Sequence, residues 1–182
     1  QVNIFSSNYA LYGEISARIM ATLQSETPAV EVYSIDEGFC DLSGIAREEL
    51  PKLAAHLRDK IWKEQRIPMG VSIAPTKTLA KLGQYATKKI PKIKGVCILE
   101  RADQWQWLAM RTPVSEVWGV GKKLTAKLND IGVTTAMDLT RLPLDNARSL
   151  VGVTLVRTVK ELNGCPCIDM EFAPQDKQQI VC

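Results

Sequence analysis

One stretch limits the fold more than any other: Val30-Glu-Val-Tyr-Ser-Ile-Asp-Glu-Gly-Phe-Cys-Asp-Leu42. Val30, Val32 and Ser34 alternate with Glu31, Tyr33 and Ile35, the period of two that a strand requires. The alternation stops at Asp36-Glu37-Gly38 and a second short run, Phe39-Cys-Asp-Leu42, follows. The segment therefore predicts two strands meeting at an acidic turn. Neighbouring strand residues point to opposite faces; at a turn, both carboxylates can lean toward one point. An oxygen-rich corner of that kind suits Mg²⁺, which takes ligands at about 2.0–2.1 Å and keeps positions for water and substrate phosphates. An Asp-Glu-Gly turn is also ordinary hairpin chemistry, and the tripeptide alone leaves both readings open.

The flanking segments supply helices. Leu11, Ile15, Ile19 and Leu23 give residues 8–24 one apolar stripe, with Ser6, Ser7 or Asn8 as N-cap. Residues 46–65 carry Leu50, Leu53, Leu57 and Ile61, with Pro51 in the first turn. His56 flanks that stripe and reads as structural or solvated. Residues 67–74 predict a strand with Val71 and Ile73 on one face, and Val96–Leu99 another. Between them a helix opens at Pro75-Thr76 and runs to about Lys89. Lys77, Lys81 and Lys88 fall within roughly 40° of one another around it at about 100° per residue. Residues 75–94 hold six lysines and no acidic residue. Like charges at i, i+4 repel by a few tenths of a kcal/mol, so an external polyanion would relieve this face; a merely solvated face is the plain alternative.

Near residue 100 the pattern turns wholly helical. Trp105, Trp107 and Leu108 lie in a helix over 104–110, and Pro113 to Leu128 contains Trp118-Gly-Val-Gly-Lys-Lys123. Gly119 and Gly121 stand just before a helix with the stripe Leu124, Leu128 and Ile131, closed by Gly132. Such a turn exposes backbone N–H groups at the positive end of a helix dipole, a seat for phosphate. Lys122 and Lys123 carry the wrong sign for the dipole and the right sign for a phosphate. A tight helix–helix turn that needs glycine is the alternative. Further helices start near Thr134 and Asp145, and Gly164-Cys-Pro-Cys167 stops the last. The tail from Ile168 is polar and has no core stripe.

Composition excludes some classes. At 46% hydrophobic residues the chain can bury a core, and it has no run of about 18 apolar residues for a membrane span. Five cysteines without a Cys-x-x-Cys pair, and a single histidine, cannot assemble a zinc site at usual spacing; the odd count suits a reducing cytoplasm. The start, Gln1 to Ser7, lacks Met and the features of a signal peptide, and reads as a strand entered mid-domain.

Three separated stretches carry a family resemblance. Tyr33 to Asp41 resembles the palm signature of Y-family translesion DNA polymerases. Gly70 to Leu82 resembles their second signature, and Val117-Trp-Gly-Val-Gly-Lys-Lys123 is similar to the helix-hairpin-helix turn of their thumb. Phe5 to Tyr9 and Arg157 to Gly164 look closest to the UmuC branch. The resemblance implies an α+β chain: a partial palm with a mixed sheet over residues 1–99, an all-α thumb over 100–167, and a linker over 168–182 toward an absent little finger.

It also implies template-directed nucleotidyl transfer past damaged DNA, using two Mg²⁺ ions, primer-template DNA and dNTP. Asp36 and Glu37 would be the catalytic carboxylates and metal ligands. Lys88 would bind the triphosphate, while Lys77, Lys81, Gly119, Gly121, Lys122 and Lys123 would bind DNA phosphates. A UmuD-type accessory dimer, a recombinase filament and a sliding clamp are the implied partners, without membrane attachment. The family's first aspartate strand, its fingers and its little finger have no counterpart in these residues, so the 182-residue chain alone is expected not to polymerise. Two other functions fit part of the pattern: a non-catalytic helix-hairpin-helix DNA-binding module, and a palm-type nucleotidyl cyclase.

Overall fold

The computed structural model describes residues 2, 3 and 5–172. Residues 2, 3 and 5–8 belong to no regular element, so the expected strand is not present among the described N-terminal residues. Helix α1 spans Tyr9–Glu26, capped by Asn8, whose side chain accepts from Leu11 N. Only the second half of its predicted stripe packs. Met20 and Leu23 are buried while Leu11 and Tyr12 lie about half exposed, because the small core beneath α1 reaches no further.

Strands β1 (Ala29–Val32) and β2 (Gly38–Asp41) pair antiparallel, Ala29 opposite Asp41 and Val32 opposite Gly38. The predicted hairpin is therefore present, with Tyr33–Glu37 as its loop. A 3-10 turn at Arg47–Glu49 leads into α2 (Leu50–Gln65), which buries Leu50, Ala54, Leu57 and Ile61. Strand β3 (Val71–Ile73), helix α3 (Lys77–Lys89) and strand β4 (Val96–Ile98) form a parallel crossover unit, with Ser72 opposite Cys97. The expected mixed sheet is thus two separate two-stranded sheets among the described residues. Between them opens a cleft of about 800 Å³, lined from β2 on one side and β3 on the other. The Ser72 hydroxyl is buried without a hydrogen-bond partner.

The rest is helical: α4 (Ala102–Ala109), a 3-10 turn at Val114–Glu116, α5 (Lys122–Asp130), α6 (Ala136–Thr140), α7 (Leu144–Val151) and α8 (Val153–Leu162). Two expectations need correction. Gly152, at φ +98, ends α7 and begins α8, so the helix starting near Asp145 is divided in two. Ile131 is half exposed; Gly132 turns the chain at φ +80, and Val133 takes the buried place, its N–H donating to Leu128 O.

Two cores hold these elements. A small one joins Met20, Leu23, Val30 and Leu57. The larger runs without a break from Leu79, Leu82, Ala86, Cys97 and Leu99 into Leu108, Val120, Leu128, Leu139, Leu155 and Leu162. Helix α3 and strand β4 are therefore packed into the helical half. No helix among the described residues is long and apolar enough to cross a membrane.

Candidate functional site

The acidic loop and the amino-terminal half of α3 face each other across the cleft. Asp36 is exposed, and its Oδ1 accepts from Ser34 Oγ at 2.7 Å. Tyr33 N and Ser34 N both donate to Glu37 O, which closes the loop on itself. Lys81 Nζ bridges both carboxylate oxygens of Glu37, at 2.7 and 2.8 Å, and lies 5.4 Å from the centre of the Tyr33 ring. The ammonium thus holds the Glu37 side chain over the cleft.

Lys77 is not where its helical spacing suggested. It is buried, with Nζ 2.5 Å from Glu31 Oε2 and 2.6 Å from Asp169 O, and it lies over the Phe39 ring at 5.1 Å. The expected stripe of Lys77, Lys81 and Lys88 does not share one exposed face: Lys77 is turned inward, Lys81 pairs with Glu37, and only Lys88 of the three is exposed. At the start of α3 the first turn packs against β1, and Glu31 provides the counter-charge. Two of the six lysines of this region are therefore compensated within the chain. Lys88 stands exposed near the other end of α3. His56 sits on the surface with Nε2 3.0 Å from Glu26 Oε2 and does not line the cleft.

The glycine turn is built as a surface feature on a buried anchor. Val120 is buried in the large core, while Gly119, Gly121, Lys122 and Lys123 are exposed. Gly119 adopts φ +84, which favours glycine. Gly121 is extended and caps α5 with no side-chain bond to the first N–H groups. A Cβ at either glycine would meet nothing within 4 Å, so their absence of side chains leaves the backbone open to approach. Trp118, next to this turn, reaches the acidic hairpin. Its Nε1 donates to Tyr33 Oη at 2.9 Å, and Trp118, Tyr33 and Phe39 pack mutually with centroids 5.5–5.7 Å apart. Sequence reasoning missed this contact, since two motifs 85 residues apart gave no sign of touching.

It also missed two buried carboxylates. Glu31 stands between Val30 and Val32 yet is 6% exposed, and Glu161 near the end of α8 is 0% exposed. The one available signal was Lys77 itself, a cation in the first turn of a helix, where the dipole is unfavourable unless an acid is near.

Three comparisons with known proteins now bear on the arrangement. The sequence matches the impB/mucB/samB family over residues 1–84 and the IMS family HHH motif over residues 102–133. It is 49% identical to Protein ImpB of Salmonella typhimurium, covering 100% of this chain and 44% of that protein. It is 45% identical to Protein UmuC of Salmonella typhimurium, covering 98% of this chain and 43% of that one. The chain is a homologue of the Y-family polymerases of the UmuC/ImpB/MucB/SamB group. In fold it resembles the insertion ternary complex of Dbh DNA polymerase, with a TM-score of 0.74 over 90% of this chain and 47% of that one, at 24% identity. The chain therefore spans less than half the length of these relatives.

Mg²⁺ takes hard oxygen ligands. Asp36 and Glu37 are hard oxygen donors of the right kind, and one or two carboxylates plus substrate phosphates are the usual protein share of such a site. Among the described residues no cluster of three or more His, Cys, Asp or Glu side chains could hold a metal ion.

Proposed function

We propose that this chain forms the acidic corner and the duplex grip of an error-prone translesion DNA polymerase. The observation that carries the reading is the direct contact between its two halves: the loop bearing Asp36 and Glu37 is tied to the glycine turn by Trp118 and Tyr33. A polymerase needs carboxylates at the primer terminus and a grip on the duplex behind it at a fixed distance. A DNA-binding module has no need of the first, and a cyclase has no need of the second.

In this reading Asp36 and Glu37 would hold Mg²⁺, which when bound would supply activation of the primer 3′-hydroxyl and charge neutralisation at the triphosphate. Lys81 orients Glu37 and offers positive charge at the cleft, and Lys88 faces the triphosphate. The exposed backbone of Gly119 and Gly121, with Lys122 and Lys123, holds duplex phosphates without reading sequence. Lys77 has no part in phosphate binding.

The test is a segment exchange with Protein ImpB, its matching 44% replaced by this chain. In cells lacking their own translesion polymerases, the exchange should restore damage-induced mutagenesis, and Asp36→Ala should abolish it. Mutagenesis retained with Asp36→Ala would leave only the binding-module reading.

A further inference from the structure

The segment after α8 reads as a polar linker in the sequence, yet it is held to the sheet half of the molecule by charged side chains buried beneath it. Glu161 accepts four hydrogen bonds and has no exposed surface. Its Oε2 takes Thr78 N at 2.9 Å and Thr78 Oγ1 at 2.8 Å, both at the start of α3. Its Oε1 takes Cys167 N at 3.2 Å and Ile168 N at 3.0 Å, both in the following segment. The backbone of the same residue accepts from Thr76 Oγ1, the cap of α3, at 2.9 Å. A buried carboxylate is costly unless its oxygens are satisfied, and the N-terminus of α3 adds a favourable dipole.

Immediately beyond Ile168, a buried ion pair takes over. Lys77 Nζ donates to Asp169 O, and Glu31 Oε2 accepts from Glu171 N at 2.9 Å as well as from Lys77. Four backbone groups between Cys167 and Glu171 are thus held by three charged side chains, drawn from β1, α3 and α8. A segment needing only a polar, solvated path would not commit buried charges from three elements to its backbone.

We propose that Glu161 and the Glu31–Lys77 pair form a latch that fastens residues 167–171 onto β1 and α3, and so holds the segment leaving the helical half against the sheet half. Glu161 is a positioning residue: it acts through the start of α3 and through the strapped segment. The latch itself does not depend on the polymerase reading.

Hydrogen exchange of the 182-residue chain, read by mass spectrometry, tests the latch without any activity measurement. Glu161→Gln keeps the shape but places an amide donor against backbone N–H groups. The double variant Glu31→Leu/Lys77→Met removes the second fastening, both its acceptor and its donor, without touching α8. Both variants should speed exchange in peptides covering 166–172 by roughly tenfold or more, while peptides from α6 and α7 change less than about twofold. Unchanged exchange at 166–172 in both variants would overturn the latch. A uniform rise across the chain would overturn it too, since the charges would then serve general stability alone. Should Glu161→Gln fail to fold, the double variant decides by the same two readings.

Discussion

Cys97 shows how one side chain takes its chemistry from its place. It sits on β4 in the large core, 6% exposed, and burial pushes its thiol up to about 11 from an ordinary value of 9.0. The folded chain then holds a proton on Cys97 that the unfolded chain gives up earlier. Stability from this group is full below pH 9 and is lost as pH rises toward 11, by about 2–3 kcal/mol in all. Urea denaturation at pH 8 and pH 11 should show a fall in stability that is smaller by that amount in Cys97→Ala. Equal falls in both proteins would contradict it. The two buried acids, Glu31 and Glu161, are kept in place by hydrogen-bond donors and not by isolation. Neither was legible in the sequence, because a single acid in an apolar run looks the same whether it faces water or a partner. Only the pairing of distant residues distinguishes the two cases.

Among the elements, the hairpin and the glycine turn were each legible for a local reason. A period of two broken by Asp36-Glu37-Gly38 can hardly be anything but a strand turn, and Gly119 occupies a backbone conformation that favours glycine. Helix α3 was legible in extent but not in orientation: the charge spacing gave a lysine stripe, while packing against β1 turned its first lysine inward. The contact between the two motifs was not legible at all. Its weight can be measured. Tyr33→Phe keeps the ring stack but removes the acceptor of the Trp118 bond, and should cost about 0.5–1 kcal/mol for a partly exposed hydrogen bond. A double-mutant cycle with Trp118→Phe, followed by urea denaturation, should return a coupling energy of that size. A coupling indistinguishable from zero would mean that the turn and the hairpin are neighbours without being joined.

For the whole molecule, the change of pattern near residue 100 marks where sheets give way to helices, but not where one core ends. Leu79, Leu82, Cys97 and Leu99 pack with the helical half, leaving α1, α2 and the β1–β2 hairpin on a smaller core. The glycine turn is thus anchored through Val120 in the same core as α3 and β4, while the carboxylates sit on a hairpin rooted by Val30 in the smaller core. If the two perform separate tasks, they should fail separately. In the purified ImpB segment exchange, Mg²⁺-dependent extension of a primer on an abasic template measures the first, and fluorescence anisotropy of the same duplex measures the second. Asp36→Ala should lower the extension rate by roughly 100-fold or more, beyond what losing a group that only orients a metal ligand costs, with duplex affinity unchanged within about twofold. Neutralising Lys122 and Lys123 should weaken duplex binding and flatten its salt dependence by nearly two units of slope, with the saturated extension rate retained. Extension that survives Asp36→Ala, or a Lys122/Lys123 variant that binds duplex as tightly as the parent at every salt concentration, would contradict the assignment.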